Sequence, residues 1–105
     1  KTKQNKEAGL ILYQIHTSQN SQDFLDKLDK HIRTRVETRL KKLSVNSVPT
    51  DAKFIIRDEL SDKIFRYRIG DYRALYKIKE KEQIVLIIKI DKRPKVYDNL
   101  WLPFL

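Results

Sequence analysis

Residues 65–97 read FRYRIGDYRALYKIKEKEQIVLIIKIDKRPKVY, and this stretch decides the fold. Its first run alternates apolar and basic residues, so in a strand Arg66 and Arg68 share one face and the apolar residues share the other. A Gly-Asp pair at 70–71 then favours a turn, because glycine adopts positive φ readily and aspartate is common in turns. The pattern predicts a second strand over residues 72–78 that returns beside the first.

The third run of this stretch, residues 84–90, has apolar residues on both faces. That composition is typical of a central strand that is covered on both sides. The three runs together predict an antiparallel meander, in which strand parity places Tyr67, Tyr72 and Tyr76 in the core. The side chains that can converge on one surface are Arg66, Arg68, Arg73, Arg93 and Tyr97.

A strand and a helical pattern precede the meander. Residues 9–16 have good β-propensity and predict a strand. After a predicted turn at 17–20, Ser21 is the candidate helix N-cap, and apolar residues then recur at spacings of three and four as far as Leu43. This stripe fits either one long helix or two helices broken around 29–31, and it must cover one face of the sheet. We expect the other face to be basic.

The rest of the chain completes one small α+β domain. We expect residues 1–8, which are polar and charged, to form a disordered tail, and residues 9–105 to form a single domain. A further short strand is predicted at residues 53–57. The last six residues, 100–105, are strongly apolar. We expect them to pack onto the domain, and an exposed partner site is the alternative.

Composition narrows the classes of function. The chain has 105 residues, 40% of them hydrophobic, and a net charge of +9, which together indicate a folded domain with a polyanionic partner. Eleven of the Lys and Arg residues but only four acids lie between Lys63 and Tyr97. There is no cysteine, the two histidines are far apart, and the two glycines form no phosphate loop. No segment resembles a membrane span or a signal peptide, which predicts a cytoplasmic protein without membrane contact.

The remaining residues predict a basic and phenolic site that needs neither metal nor cofactor. RNA cleavage can use such a site, because the 2′-hydroxyl attacks its neighbouring phosphate through a phosphorane that guanidinium groups stabilise. One proton must leave the 2′-oxygen and another must reach the departing 5′-oxygen. With no suitable histidine in the stretch, the candidates for these transfers are Tyr97, the arginines and Lys92.

The order and spacing of these motifs resemble the RelE/ParE toxin superfamily of toxin–antitoxin systems. The likeness rests on the run FRYRIGDYRALY, the apolar strand and KRPKVY at 92–97, and it covers about nine tenths of the chain. It implies an N-terminal strand, a two-helix hairpin and an antiparallel meander of three to four strands. It also implies a toxin that enters the ribosomal A site, cleaves mRNA without metal to leave a 2′,3′-cyclic phosphate, and forms a hetero-oligomer with a cognate antitoxin.

The resemblance also implies roles for individual residues. Arg73 matches the arginine that stabilises the phosphorane, while Arg93 and Tyr97 match a C-terminal arginine and a tyrosine associated with base stacking or proton transfer. Many relatives have histidine where this chain has Lys92, which shifts catalytic weight to Arg93 and Tyr97. The implied RNA-binding residues are Arg66, Arg68, Lys92 and Lys95.

Two alternatives remain at the level of sequence. A ParE-like toxin of the same superfamily inhibits DNA gyrase without nuclease chemistry, and it would not need this set of arginines together with Tyr97. A non-catalytic ribosome- or RNA-binding protein would keep the fold and the charge without depending on Tyr97.

Overall fold

The computed structural model describes residues 12–92 and shows an α+β domain, as predicted. The elements in chain order are β1 (Gln14–Thr17), α1 (Gln19–Asp26), α2 (Lys30–Lys41), a 3₁₀ turn (Lys42–Ser44), β2 (Ala52–Arg57), β3 (Lys63–Ile69), β4 (Tyr72–Lys79) and β5 (Ile84–Lys92). The tail predicted at 1–8 and the apolar segment 100–105 lie outside the described residues. No helix within residues 12–92 is long and apolar enough to cross a membrane.

The five strands form one sheet in the order β1-β5-β4-β3-β2. Strands β2 to β5 make the predicted antiparallel meander, with four strands. Strand β1 pairs in parallel with β5, so the apolar β5 is an interior strand, as its composition predicts. Gly70 and Asp71 form the tight turn between β3 and β4, where Gly70 has a φ of +58°.

The helical region differs from the prediction at its start. Helix α1 begins at Gln19 rather than after Ser21, because the Ser18 side chain accepts the Ser21 backbone N–H and is the N-cap. Ser21 is buried inside α1, and its hydroxyl donates to the carbonyl of Ile87 at 3.4 Å. A break at residues 27–29 leaves two helices rather than one. Within the described residues, β1 is also shorter than predicted.

The main core lies between the helices and one face of the sheet. Leu25, Val36, Leu40 and Leu43 from the helical region pack there with strand residues. Tyr67, Tyr72 and Tyr76 belong to this cluster and are 3%, 7% and 0% exposed, which confirms their predicted burial.

The opposite face of the sheet is only partly basic, which corrects the expectation that basic residues would occupy it. A second, smaller apolar cluster centres on Ile64 and Leu75, with Ile55, Ile56 and Ile88 packed against it. These residues alternate along β3 and β4 with those of the main core, so they project to the face away from the helices. Cations occupy the rest of that face, toward the β3–β4 turn.

Replacing Gly70 with alanine is expected to lower the free energy of unfolding by about 1–2 kcal/mol, because its positive φ is costly for any residue with a Cβ. Steric crowding adds little, since a Cβ there would lie 3.6 Å from Arg35 Nη2. Urea denaturation measures the change. The matched control is Asp71→Ala in the same turn, which should shift stability by less than about 0.5 kcal/mol. An equal loss in both variants would contradict the φ argument.

A second prediction concerns Asp58, at the turn between β2 and β3. Its Oδ2 accepts a hydrogen bond from Lys77 Nζ at 2.7 Å, and its Oδ1 accepts the backbone N–H groups of Leu60 and Asp62 at 2.9 Å each. The Lys77 contact, with help from these N–H groups, lowers the pKa of Asp58 below its ordinary value. Asp58→Asn should therefore cost about 1 kcal/mol at neutral pH.

That cost should depend on pH in a defined direction. Because the pKa of Asp58 is lower in the folded state, its contribution is present above the unfolded pKa, near 3.9, and is lost as the pH falls through the folded pKa. Urea midpoints of the wild type and Asp58→Asn should thus converge below about pH 4. Glu59→Gln, an exposed neighbour, is the control. A difference between wild type and Asp58→Asn that persists undiminished in acid would overturn the assignment.

Candidate functional site

A pocket of about 260 Å³ opens on the sheet face away from the helices. It is lined by Asp51, Lys53, Arg66, Arg68 and Arg73. Strand register explains the grouping, since Lys53 pairs with Arg66 across β2–β3 and Arg68 pairs with Arg73 across β3–β4. Directly opposed residues project to the same face of a sheet. The meander therefore brings together three of the four arginines that the sequence predicts for the site, and adds a lysine and a carboxylate.

Arg73 is the most buried of these cations, with 2% of its surface exposed. Its Nη1 donates to the carbonyls of Gly70, at 3.3 Å, and Tyr72, at 3.1 Å. These carbonyls satisfy N–H groups but carry no net charge, and Arg73 forms no ion pair within residues 12–92. A buried charge without a counter-ion is unfavourable. A bound phosphate would provide the missing negative charge.

Arg68 adds to this concentration of positive charge. It is exposed, and its side chain makes no hydrogen bond or ion pair with the described part of the chain. Like charges directly opposite each other in a sheet are destabilising, and Arg68 lies directly opposite Arg73. Asp91 of β5 lies directly opposite Arg73 on its other side and offsets part of this repulsion, and a bound anion would offset more.

Arg39 on α2 forms hydrogen bonds to residues at the edge of the pocket from the helix side of the sheet. Its Nε donates to Tyr67 Oη at 3.1 Å, and its Nη2 donates to Asp51 Oδ2 at 3.0 Å and to the Arg68 carbonyl at 3.2 Å. The bond to Tyr67, with Asp51 adding to it, raises the pKa of Arg39 above its ordinary value. The lining has four cations and one acid, Asp51, which is already paired with Arg39, so the pocket lining is positive overall.

The other predicted site residues are placed differently. Lys92 ends β5 and has Tyr72 as its partner, so it shares the face of Tyr72 and does not line the pocket. Arg93, Lys95 and Tyr97 lie outside the described residues. Within residues 12–92, no group of three His, Cys, Asp or Glu side chains could hold a metal ion.

Sequence reasoning missed Lys53 and Asp51. Asp51 directly precedes β2 and Lys53 is its second residue, so their spacing of two, which places both on one face of an extended chain, was an available signal. The signal was weak because the pairing of β2 with β3 was needed to bring that face beside Arg66.

The fold is that of the small toxins of toxin–antitoxin systems, which agrees with the resemblance found in the sequence. Residues 10–97 match the family described as the ParE toxin of type II toxin–antitoxin system, parDE, and the chain belongs to this RelE/ParE family. A protein of Methanocaldococcus jannaschii assigned as a RelE1 toxin is 33% identical over 70 residues, which are 67% of this chain and 73% of that protein.

Solved structures share the same fold. A chain of the archaeal RelE–RelB complex from Pyrococcus horikoshii superposes with a TM-score of 0.70 at 24% identity, covering 78% of this chain and 96% of that one. A chain of the toxin–antitoxin complex RelBE2 from Mycobacterium tuberculosis superposes with a TM-score of 0.63 at 30% identity, covering 79% and 93%. The chain is therefore a RelE/ParE-family toxin in its sequence and its fold.

Proposed function

We propose that this toxin is a ribosome-dependent mRNA endoribonuclease that cuts at the A-site codon without a metal ion. The observation that carries the proposal is the pocket where Arg66, Arg68 and Arg73 meet around one space, with the buried Arg73 in no ion pair within residues 12–92. A site built from guanidinium groups suits a phosphodiester, whose charge rises as the reaction proceeds.

The proposed reaction is a transesterification within the RNA. The 2′-oxygen forms a bond to the adjacent phosphorus as the bond to the 5′-oxygen breaks, which gives a 2′,3′-cyclic phosphate and a 5′-hydroxyl. Arg73 donates to the non-bridging oxygens, where negative charge accumulates, and its burial strengthens that interaction. Arg66, Arg68 and Lys53 hold the phosphate groups of the strand in place.

The C-terminal residues complete the proposed mechanism. Arg93 and Tyr97 serve in proton transfer or base stacking, and Lys92 and Lys95 provide further contacts to RNA phosphates. Arg93→Ala and Tyr97→Phe should therefore lower cleavage by orders of magnitude while changing RNA binding little. The ribosome orients the mRNA, which compensates for the absence of a strong general base.

A cognate antitoxin is the proposed inhibitor. The structural relatives from Pyrococcus horikoshii and Mycobacterium tuberculosis are toxin–antitoxin complexes. We expect the antitoxin of this chain to lay an extended or helical segment across the basic face, with its carboxylates in place of phosphate.

A second candidate function is inhibition of DNA gyrase, which the match to a family described as ParE toxin favours. That activity needs no convergent set of arginines around a phosphate-sized pocket. A non-catalytic RNA-binding protein would use the same pocket but would leave the RNA intact.

Primer extension on an mRNA bound to purified ribosomes separates these functions. The nuclease should produce discrete cuts at A-site codons in the presence of ribosomes and none on naked mRNA. Parallel reactions with and without EDTA, at a concentration that leaves the ribosomes their magnesium, test whether the cuts need a further metal ion. If no cuts appear and the protein inhibits gyrase supercoiling, the ParE-like function replaces the proposed one.

A further inference from the structure

Helix α2 carries a charge pattern that neither the core nor the pocket uses. It contains five Lys or Arg residues and one Glu, and Lys42 follows directly. Its outward side, which we call the α2 face, consists of Lys30, His31, Thr34, Arg35, Thr38, Lys41 and Lys42, and all seven are exposed. The α2 face thus presents four cations, an imidazole and two hydroxyls, with the half-buried Glu37 at its edge.

The cations of the α2 face are unpaired. Lys30, Arg35, Lys41 and Lys42 make no side-chain hydrogen bond or ion pair within residues 12–92. A solvent-facing helix usually mixes charges of both signs, because pairs at i,i+4 stabilise it. Elsewhere in the described chain some cations are paired with acids across the sheet, as Lys77 and Lys79 both contact Asp62. The α2 face lacks such compensation.

The positive charge of the α2 face extends even to the start of the helix, where it is unfavourable. The N-terminal turn of a helix favours acidic residues, because the macrodipole is positive there. The first turn of α2 has no acid and begins at Lys30, and the N-cap Asp29 makes no side-chain capping bond. The acid at this end of α2 is therefore the N-cap Asp29, and the first turn itself is basic.

We propose that the α2 face binds the phosphate backbone of double-helical RNA. Lys, Arg and Thr side chains are typical ligands of backbone phosphates, and interfaces with nucleic acid are polar and strongly basic. The face has no Phe, Tyr or Trp, and its one aromatic ring, that of His31, offers the bases of a single strand little area for stacking. The choice of RNA over DNA rests on the proposed function.

A protein partner fits the α2 face less well. The centre of a protein–protein interface usually contains apolar or aromatic anchors. The large exposed hydrophobic residues of the described chain are outside α2, at Leu12, Val45, Val48, Phe54 and Leu60, and Val45 alone of these lines a pocket with Lys42 at the end of the face. Apart from that end, the α2 face offers a partner charged, imidazole and hydroxyl groups.

The α2 face meets the rim of the pocket at the β3–β4 turn. Arg35 Nη2 lies 3.6 Å from where a Cβ on Gly70 would stand, and Arg39 of the same helix bonds the Arg68 carbonyl. An RNA duplex on the α2 face and a strand in the pocket would lie on opposite faces of the sheet and approach each other at this turn. Structured RNA docked there would hold the toxin against its substrate, as a ribosome could.

A pair of charge-matched triple variants tests the proposal. Lys30→Gln, Arg35→Gln and Lys41→Gln together neutralise the α2 face. Arg57→Gln, Lys63→Gln and Lys81→Gln remove the same charge from a cleft formed by the β2–β3 and β4–β5 turns, far from the pocket. Fluorescence anisotropy with a labelled blunt RNA hairpin, a DNA hairpin of the same sequence and a single-stranded RNA reports binding across a salt series. Circular dichroism melting checks that both variants fold.

The α2 triple should weaken hairpin-RNA binding by at least about tenfold and flatten the slope of log affinity against log salt by about two to three, since each lost phosphate contact removes nearly one unit. The matched triple should stay within about twofold of the wild type. Equal losses in the two triples would reduce the effect to net charge and overturn the proposal. So would tighter binding of the DNA hairpin, or an α2 triple that keeps RNA binding but loses binding to an acidic antitoxin peptide.

These readouts measure binding rather than cleavage. A chain that fails to cut mRNA on the ribosome yet loses hairpin binding in the α2 triple would reject the proposed function and retain the α2 face. A chain that cuts mRNA, and that binds hairpin RNA equally with and without the α2 cations, would retain the proposed function and reject the α2 face as an RNA-binding surface.

Discussion

Arg73→Ala is expected to lower ribosome-dependent cleavage by about 100- to 1000-fold, the range observed when one preorganised donor to a developing oxyanion is removed. Arg73 is the pocket cation best placed for that role, because it is 2% exposed and holds a charge that no acid of the described chain pairs with. The loss should appear in kcat more than in KM, since the donor stabilises charge that exists only in the transition state. Single-turnover primer extension on programmed ribosomes measures it.

The control for this prediction is another arginine on the same sheet. Arg57 on β2 donates to the Ser61 carbonyl at the far end of the sheet, so Arg57→Ala removes the same side chain and charge away from the pocket. It should leave cleavage within about twofold of the wild type. Arg73→Lys keeps the charge but loses the planar fork, and an intermediate rate is expected. If Arg57→Ala is as damaging as Arg73→Ala, the pocket has no special role.

Much of the sheet follows from local pattern in β3 and β4. Apolar and basic residues alternate there, and the burial of Tyr67 and Tyr76 with Arg66 and Arg68 on the other face is the direct result of a period of two. The Gly-Asp pair marks the turn because Gly70 takes a positive φ that other residues avoid. Such features depend on neighbours in sequence, and the sequence therefore predicts them.

The start of α1 could not be predicted in the same way. Residues 17–21 read TSQNS, in which four of the five side chains can cap a helix. The choice of Ser18 depends on a distant partner, because its hydroxyl also donates to the carbonyl of Ile88 at 2.9 Å. Ser21 is held by Ile87 of the same strand. Local sequence contains no information about that strand.

The pocket likewise combines features that follow from local sequence with features that depend on distant parts of the chain. The sequence places Arg66, Arg68 and Arg73 on one face, yet Lys53 joins them only through the β2–β3 register, which shifts between Phe54 and Ile56. Arg39 belongs to a helix, and its bonds to Tyr67 and Asp51 depend on how that helix packs on the sheet. Period and spacing predict which side chains share a face of one element. They do not predict which elements bring such faces together.

Tyr76→Ala is expected to lower the free energy of unfolding by about 3–5 kcal/mol, enough to unfold much of a small domain. Tyr76 is fully buried, its ring stacks on Phe65 with centroids 5.5 Å apart, and its hydroxyl donates to the Ser47 carbonyl at 2.6 Å. The truncation removes the ring from the core and also leaves that carbonyl without its donor. Urea denaturation of the purified variant, or its failure to fold, measures the effect.

Tyr76→Phe separates the hydroxyl from the ring, and its cost at neutral pH should be only about 1 kcal/mol. Burial raises the pKa of Tyr76 above its ordinary value. A raised folded pKa means that the contribution of the phenol is complete below the unfolded pKa, near 10, and is lost as the pH rises toward the folded pKa. The stability gap between wild type and Tyr76→Phe should therefore narrow above about pH 10. A gap that stays constant up to pH 11 would show that the phenol ionises as readily in the folded protein as in the unfolded chain.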